Sequence, residues 1–220
     1  MNPAPDFNPL ARLYRWMEYA SFGPWLWWCR CAFLRDLQGC RHALILGDGD
    51  GRFTAKLLRT NPALRVHAVD ASPAMLHALE RRAAANAARL RTVHADLRAW
   101  QPAFDAPPYD LIVTHFFLDC LTTDEAAVLA LNLHAVAAPG ARWLVSEFAI
   151  PPGVAGLMLA RPIVAALYRA FGWMTGLAVR RLPDYEAALR ASGFSLMKSR
   201  SWLGGLLLSQ LWRTAAEIRP

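Results

Sequence analysis

Residues 44–51 read Leu-Ile-Leu-Gly-Asp-Gly-Asp-Gly, and this octet decides the fold. The apolar run Leu44–Leu46 has the character of a buried strand and passes straight into three alternating glycines, Gly47, Gly49 and Gly51. An amphipathic segment follows, with Phe53, Leu57 and Leu58 on one face. Glycines let the chain turn sharply and let a ligand approach the main chain with no Cβ in the way. The start of the next helix then offers unpaired N–H groups to a polar or anionic part of that ligand. Strand, glycine turn and helix together are the entry to a nucleotide-type cofactor site.

A dinucleotide fingerprint, Gly-x-Gly-x-x-Gly, does not fit. Counted from Gly47 its third glycine falls at Arg52, and counted from Gly49 it falls at Thr54. The pattern is Gly-x-Gly-x-Gly instead. Downstream, LRVHAVD (64–70) reads as a second strand ending in an acid, whose two acceptor oxygens suit a pair of ribose hydroxyls. DASPAML (70–76), HADL (94–97), YDLIVTHFFLD (109–119) and APG (138–140) before WLVSEF follow in order. This ordered series resembles the class I S-adenosylmethionine-dependent methyltransferases over residues 40–150. Residues 180–213 match that family in topology only. The resemblance implies Asp70 on the cofactor's ribose and Asp96 accepting from the adenine amine. It implies further cofactor contacts from Gly47, Asp48, Gly49, Gly51, Ala71, Met75, Leu97, His115 and, from an N-terminal helix, Tyr14. One position departs from the family. The acid two residues before the first glycine, which helps hold the cofactor's amino group, is Ile45 here. Asp48, Asp50 or backbone carbonyls are then left to meet that amino group.

The expected architecture is a single α/β domain over 1–220. It is a doubly wound, mostly parallel seven-stranded sheet of Rossmann-like methyltransferase type with an antiparallel C-terminal hairpin. The strands are expected at 42–46, 65–70, 90–94, 109–115, 142–148, 194–202 and 206–212, with Gly204 and Gly205 turning the hairpin. Residues 1–40 form an aromatic helical arm, with two helices over 9–38 parted by Gly23 and Pro24. Ser72 caps the second helix after the glycine turn, and Thr122 or Thr123 opens the one after strand four. Pro183 is expected to open the last helix and Gly193 to close it. Residues 151–180 form an apolar helical lid inserted after strand five. Every motif then falls at the carboxyl ends of the strands, beside the switch point where such sheets bind ligands.

The 220 residues are long enough for one sizeable core. Hydrophobic residues make up 55%, and the formal net charge is +7. All but two of the 24 basic residues are arginine, Lys56 and Lys198 being the exceptions. The arginines are scattered, which fits a biased genome better than attraction to anionic surfaces such as lipid headgroups or nucleic acid. The start, MNPAPDFNPL, has no basic region followed by an apolar one. Cys29, Cys31, Cys40 and Cys120 have no zinc spacing, so free thiols in a reducing cytoplasm are expected and no metal is.

Methyl transfer needs a nucleophile in line with the methyl group, and a base only if that nucleophile arrives protonated. His115, at the end of strand four, is the candidate base, the alternative being a histidine that packs against the cofactor or bonds the main chain. Asp119 either orients His115 or a substrate hydroxyl, or caps the next turn with Thr122, which is the preferred reading. Phe116 and Phe117 wall the methyl channel or belong to the core. The lid reads as a cover over an apolar acceptor, as an interfacial helix at a membrane surface, or as a homodimer contact. DASPAML and the apolar lid resemble the quinone-biosynthesis methyltransferases. The expected substrate is therefore small and apolar (a quinone, phenol or lipid-like molecule), not nucleic acid. THFF at 114–117 lacks the Pro-Pro-aromatic pattern of nucleic-acid amino methylation. The rivals are a non-catalytic assembly protein on the same fold, which Ile45 suggests, and a nicotinamide-dependent oxidoreductase, which the missing third glycine disfavours.

Overall fold

The computed structural model describes residues 22–98, 100–102, 107–154, 156–175, 179 and 181–215. Tyr14 and the first arm helix lie outside these residues. The chain enters through helix α1 (Trp25–Arg30) and a 3-10 turn at Leu34–Leu37. Five strands and three α-helices follow: β1 (His42–Leu46), α2 (Arg52–Thr60), β2 (Arg65–Asp70), α3 (Pro73–Arg82), β3 (Leu90–His94), β4 (Tyr109–His115), α4 (Thr123–Val136) and β5 (Ala137–Phe148). A π-helical turn at Gly156–Ala160 leads into α5 (Arg161–Thr175), and the chain ends with α6 (Tyr185–Ala191), β6 (Phe194–Trp202) and β7 (Leu207–Thr214).

The seven strands are ordered β3-β2-β1-β4-β5-β7-β6. β1 to β5 are parallel, and β7 runs antiparallel between β5 and β6. Alternation along the strands sends side chains to two cores. Ala43, Ile45, Leu111, Val113 and Leu144 pack with Phe53, Leu57 and Leu79 beneath α2 and α3. Leu44, Leu46, Ile112, Trp143 and Val145 pack with Leu129, Leu133 and Leu189 beneath α4 and α6. Ile45, standing where the family carries an acid, is thus absorbed into the core under α2.

Several boundaries differ from the sequence reading: β7 runs Leu207–Thr214 rather than 206–212, and the second arm helix is the short α1 followed by a 3-10 turn. β5 begins at Ala137, not 142, because Ala137 already pairs with Tyr109 and the register then shifts by Leu111. Gly140, at a φ of 73°, lies inside that irregular start. The last helix is opened by Asp184, whose Oδ1 accepts from Ala187 N at 3.1 Å, one residue past Pro183. The lid is not one regular helix, since its first turn is π-helical and gives way just before Pro162, which has no N–H to continue an earlier ladder.

Candidate active site

The glycine turn joins β1 to α2 beside the point where strand order reverses between β1 and β4. Gly47, Gly49 and Gly51 all take the left-handed conformation, with φ of 65°, 60° and 76°. The outer two have different reasons to be glycine. A Cβ on Gly47 would lie 3.1 Å from the Phe117 ring, and one on Gly51 would lie 2.6 Å from the Leu79 Cα. The third glycine therefore serves the close approach of α2 to α3.

The two aspartates of the turn also part company. Asp48 is buried, and its Oδ2 accepts from Thr54 N at 2.9 Å and Thr54 Oγ1 at 2.6 Å. Its Oδ1 has no hydrogen-bond partner. Burial pushes its carboxyl up to about 6, against the pull of the Thr54 bonds. Asp50 faces the other way and holds Arg52 at 2.9 Å and Arg82 at 3.0 Å. Of the two acids proposed to replace the one missing at Ile45, Asp48 keeps an open oxygen and Asp50 is a brace.

Asp70 ends β2. Its Oδ1 accepts from Ser72 N at 2.8 Å, and the Gly49 N–H also bonds it. Burial, reinforced by the charge of Asp48, pushes it up to about 6. Ser72 caps α3 by accepting from Met75 N, and Met75 is buried behind it. The Ala71 carbonyl lies 3.1 Å from His94 Nε2. Asp96 stands on the same edge after β3, forked to Arg98 at 3.2 and 2.9 Å, and that guanidinium holds its carboxyl low. Leu97 is buried in the core under α4.

His115 is 2% exposed, and its ring stands edge-on to Phe53 at 4.4 Å. Neither ring nitrogen has a hydrogen-bond partner. Burial first, and the Arg30 charge second, hold its pKa well below the usual histidine value, so the ring is neutral. Arg30 is 3% exposed and comes from α1, with its guanidinium over the Phe116 ring at 5.3 Å. Its charge also acts on Asp48. Sequence reading passed over it. The signal was an arginine on the same stripe as Leu26 and Cys29 in a helix that buries all three.

Phe116 takes a left-handed φ of 52°, a strained conformation for a bulky residue, and packs on Phe148 at 5.1 Å. Phe117 covers Gly47. The loop they begin is held by Glu147, whose Oε1 accepts from Phe117 N at 3.1 Å and Leu118 N at 2.8 Å. Glu147 is 1% exposed, its Oε2 has no partner, and burial with the nearby Asp119 charge pushes its pKa well up. Asp119 does not cap with Thr122. Thr122 instead forms a capping box with Glu125, which satisfies both ends of that exchange. Freed of that role, Asp119 is bonded through Oδ1 by the Cys120 thiol, and burial pushes its carboxyl up to about 6. Tyr168, from the lid, donates to the Asp119 carbonyl at 2.7 Å. Sequence reading also missed Glu147, although an acid at an inward position of a buried strand was visible in WLVSEF.

The arrangement sets two carboxyls, Asp48 and Asp70, at the glycine turn, where acceptor oxygens could meet a cation or a hydroxyl. Asp48, buried, and Asp70, half-buried, are neighbours of like charge, each pushed up, and Asp48 holds an open acceptor oxygen. Among the described residues, no group of three His, Cys, Asp or Glu side chains is placed to hold a metal ion.

Comparison with known proteins agrees with this geometry. Residues 44–143 match a family model described as a methyltransferase domain. The chain is 30% identical to a demethylmenaquinone methyltransferase of Thermus thermophilus over 207 residues, covering 88% of this chain and 90% of that protein. It is 28% identical over 156 residues to a malonyl-[acyl-carrier protein] O-methyltransferase of Paenibacillus, covering 69% of this chain. It spans only 54% of that relative's length. Among solved structures, the N-methyltransferase NodS of Bradyrhizobium japonicum, in complex with S-adenosyl-L-homocysteine, superposes with a TM-score of 0.60. The match is at 16% identity and covers 86% of this chain and 84% of that one. With the glycine turn, the acid ending β2 and the seven-stranded order in place, the chain belongs to the class I S-adenosylmethionine-dependent methyltransferases.

Proposed function

We propose that the protein transfers a methyl group from S-adenosylmethionine to a small, apolar acceptor of quinol, phenol or lipid-like type. Bound in the glycine turn, the cofactor supplies an electrophilic methyl group. Gly47, Gly49 and the helix start would hold its amino-acid end, with Asp48 Oδ1 toward the ammonium in place of the acid missing at Ile45. Asp70 would take the ribose and Asp96 the adenine amine.

The observation that carries the reading is the pair of carboxyls, Asp119 and Glu147, beside an apolar lid. On the inner face of the lid, Ala160 of the π-helical turn and Val164 and Tyr168 of α5 pack with Leu206 and Phe148. Tyr168 ties that lid to the loop of Asp119. Burial and the neighbouring Asp119 charge favour the protonated form of Glu147, while Asp119, pushed up only to about 6, is mostly ionised at neutral pH. An ionised carboxylate in such a setting can take the proton of an acceptor hydroxyl as the methyl group arrives. His115 is less suited to that task, because burial and Arg30 both oppose the charged imidazolium. Its open nitrogens suit a wall that accepts or donates one hydrogen bond. The quinone-related relative supports the acceptor class.

The test is a screen of quinols, catechols and phenolic lipids, scored by S-adenosylhomocysteine release. Asp119→Asn is expected to lower turnover by ~10²-fold or more while S-adenosylhomocysteine affinity stays within a few-fold. Full turnover in that variant would remove Asp119 from the reaction. Failure to bind the cofactor at all would favour the non-catalytic alternative.

A further inference from the structure

The lid has a second face. α5 turns Val164 and Tyr168 inward, while Arg161, Pro162, Ile163, Ala165, Ala166 and Arg169 are exposed. Just before it, Val154 is 78% exposed and Met158 66%. Ile150 and Leu203 are exposed as well. Leu203 belongs to the same patch, because the β6–β7 turn packs on the loop before the lid: a Cβ on Gly205 would lie 2.9 Å from Pro151 Cβ. Leu203 itself is held outward in a left-handed conformation, φ 51°. Next to it Arg200 lies over the Trp202 ring at 5.3 Å.

The charge of this region is one-sided. Between Glu147 and Asp184 there is no acidic residue, while Arg161, Arg169, Arg180 and Arg181 fall within it. Exposed aliphatic groups interleaved with arginines, and no acid, are what an interfacial helix presents to an anionic bilayer. Arginine stems lie along apolar surface while their heads reach phosphate, which lets Ile163 and Met158 enter the acyl boundary beside them. Among the described residues no helix is long and apolar enough to cross a membrane, so this contact lies on the surface.

We propose that the outer face of the lid, from Ile150 to Arg169 with the Leu203 turn, docks on an anionic lipid surface. The inner face of the same helix covers the carboxyl pair. A molecule dissolved in the bilayer would therefore meet the site without crossing water. The docking goes beyond the proposed reaction and rests on that reading only for its purpose.

The test is flotation of the full chain with vesicles of phosphatidylcholine alone, and of phosphatidylcholine with roughly one third phosphatidylglycerol. Binding is expected to the anionic vesicles only, and to weaken in high salt. Arg161→Glu with Arg169→Glu is expected to lower that binding by more than ~10-fold. Met158→Ser with Ile163→Ser is expected to lower it comparably, with S-adenosylhomocysteine affinity unchanged in both as the check of folding. Equal binding to both vesicle types, or none, or no effect of charge reversal, would overturn the docking. So would a dimer, seen by sedimentation, that the Met158/Ile163 changes dissociate, since a second copy would then be the occupant. Vesicle binding without methylation of any acceptor in detergent would leave the docking standing and remove the reaction.

Discussion

Replacing Asp70 by asparagine tests the cofactor site through a charge alone. The amide oxygen can still accept from Ser72 N, as the carboxylate does at 2.8 Å, so the turn keeps its shape. What disappears is the negative charge that the proposed function sets against the ribose. Hydrogen bonds to a charged acceptor contribute about 1 kcal/mol more each than neutral ones, so two ribose bonds lose ~2 kcal/mol, or about thirtyfold in affinity. That loss holds only while the native group is ionised. Burial has pushed Asp70 up to about 6, so one pH unit below that only about a tenth of it carries charge. The wild-type advantage is then expected to shrink from about thirtyfold near pH 7.5 to about threefold near pH 5. Asp48 titrates in the same window and repels Asp70, so its carboxyl ionises more readily once Asp70 is asparagine, and the comparison is repeated in an Asp48→Asn background. Calorimetric titration with S-adenosylmethionine at the two pH values gives the four dissociation constants. A ratio that does not change with pH, or one near unity at the higher pH, would refute the assignment of Asp70 to the ribose.

Gly51→Ala is expected to destabilise the fold by at least ~2 kcal/mol, since its Cβ would press on the Leu79 Cα at a φ of 76°. An unchanged urea midpoint would show that α2 and α3 can part freely. His115→Leu is expected to leave cofactor affinity within a few-fold and to flatten the pH dependence of stability. The native ring titrates far below its unfolded value, so an unfolding chain takes up a proton first. Stability is therefore lost as pH falls from ~6.5 toward the depressed pKa, at up to about 1.4 kcal/mol per unit, and the variant lacks that slope. Parallel denaturation curves for the two proteins across this range would contradict a neutral buried His115.

Much of the fold was legible because its signals are local. β1, β2, β3 and β4 end where the strand pattern meets glycine, aspartate or histidine, at Gly47, Asp70, His94 and His115. The caps at Ser72 and Thr122 were equally plain, each being a hydroxyl before a helical pattern. What escaped depends on contacts far apart in sequence. The early start of β5 is set by pairing with Tyr109, and no periodicity records that. Asp48 and Asp50 look alike in the sequence, and only Thr54 on one side and Arg82 on the other separate them. Arg30 and Glu147 read as ordinary surface charges until the helix stripe and strand face that bury them are known. Asp119 was tied to Thr122 by proximity along the chain, but Glu125 sits at the better spacing for that bond.

The brace on the glycine turn has an entropic consequence. Asp50 grips Arg52 at the start of α2 and Arg82 at the end of α3, and Gly51 presses the two helices together behind it. The loop is thus shaped by side chains of α2 and α3. A floppy glycine segment would lose backbone freedom each time the cofactor arrived, and that loss would subtract from affinity. Here most of the ordering is done during folding, so the cofactor meets a cradle already in its final form.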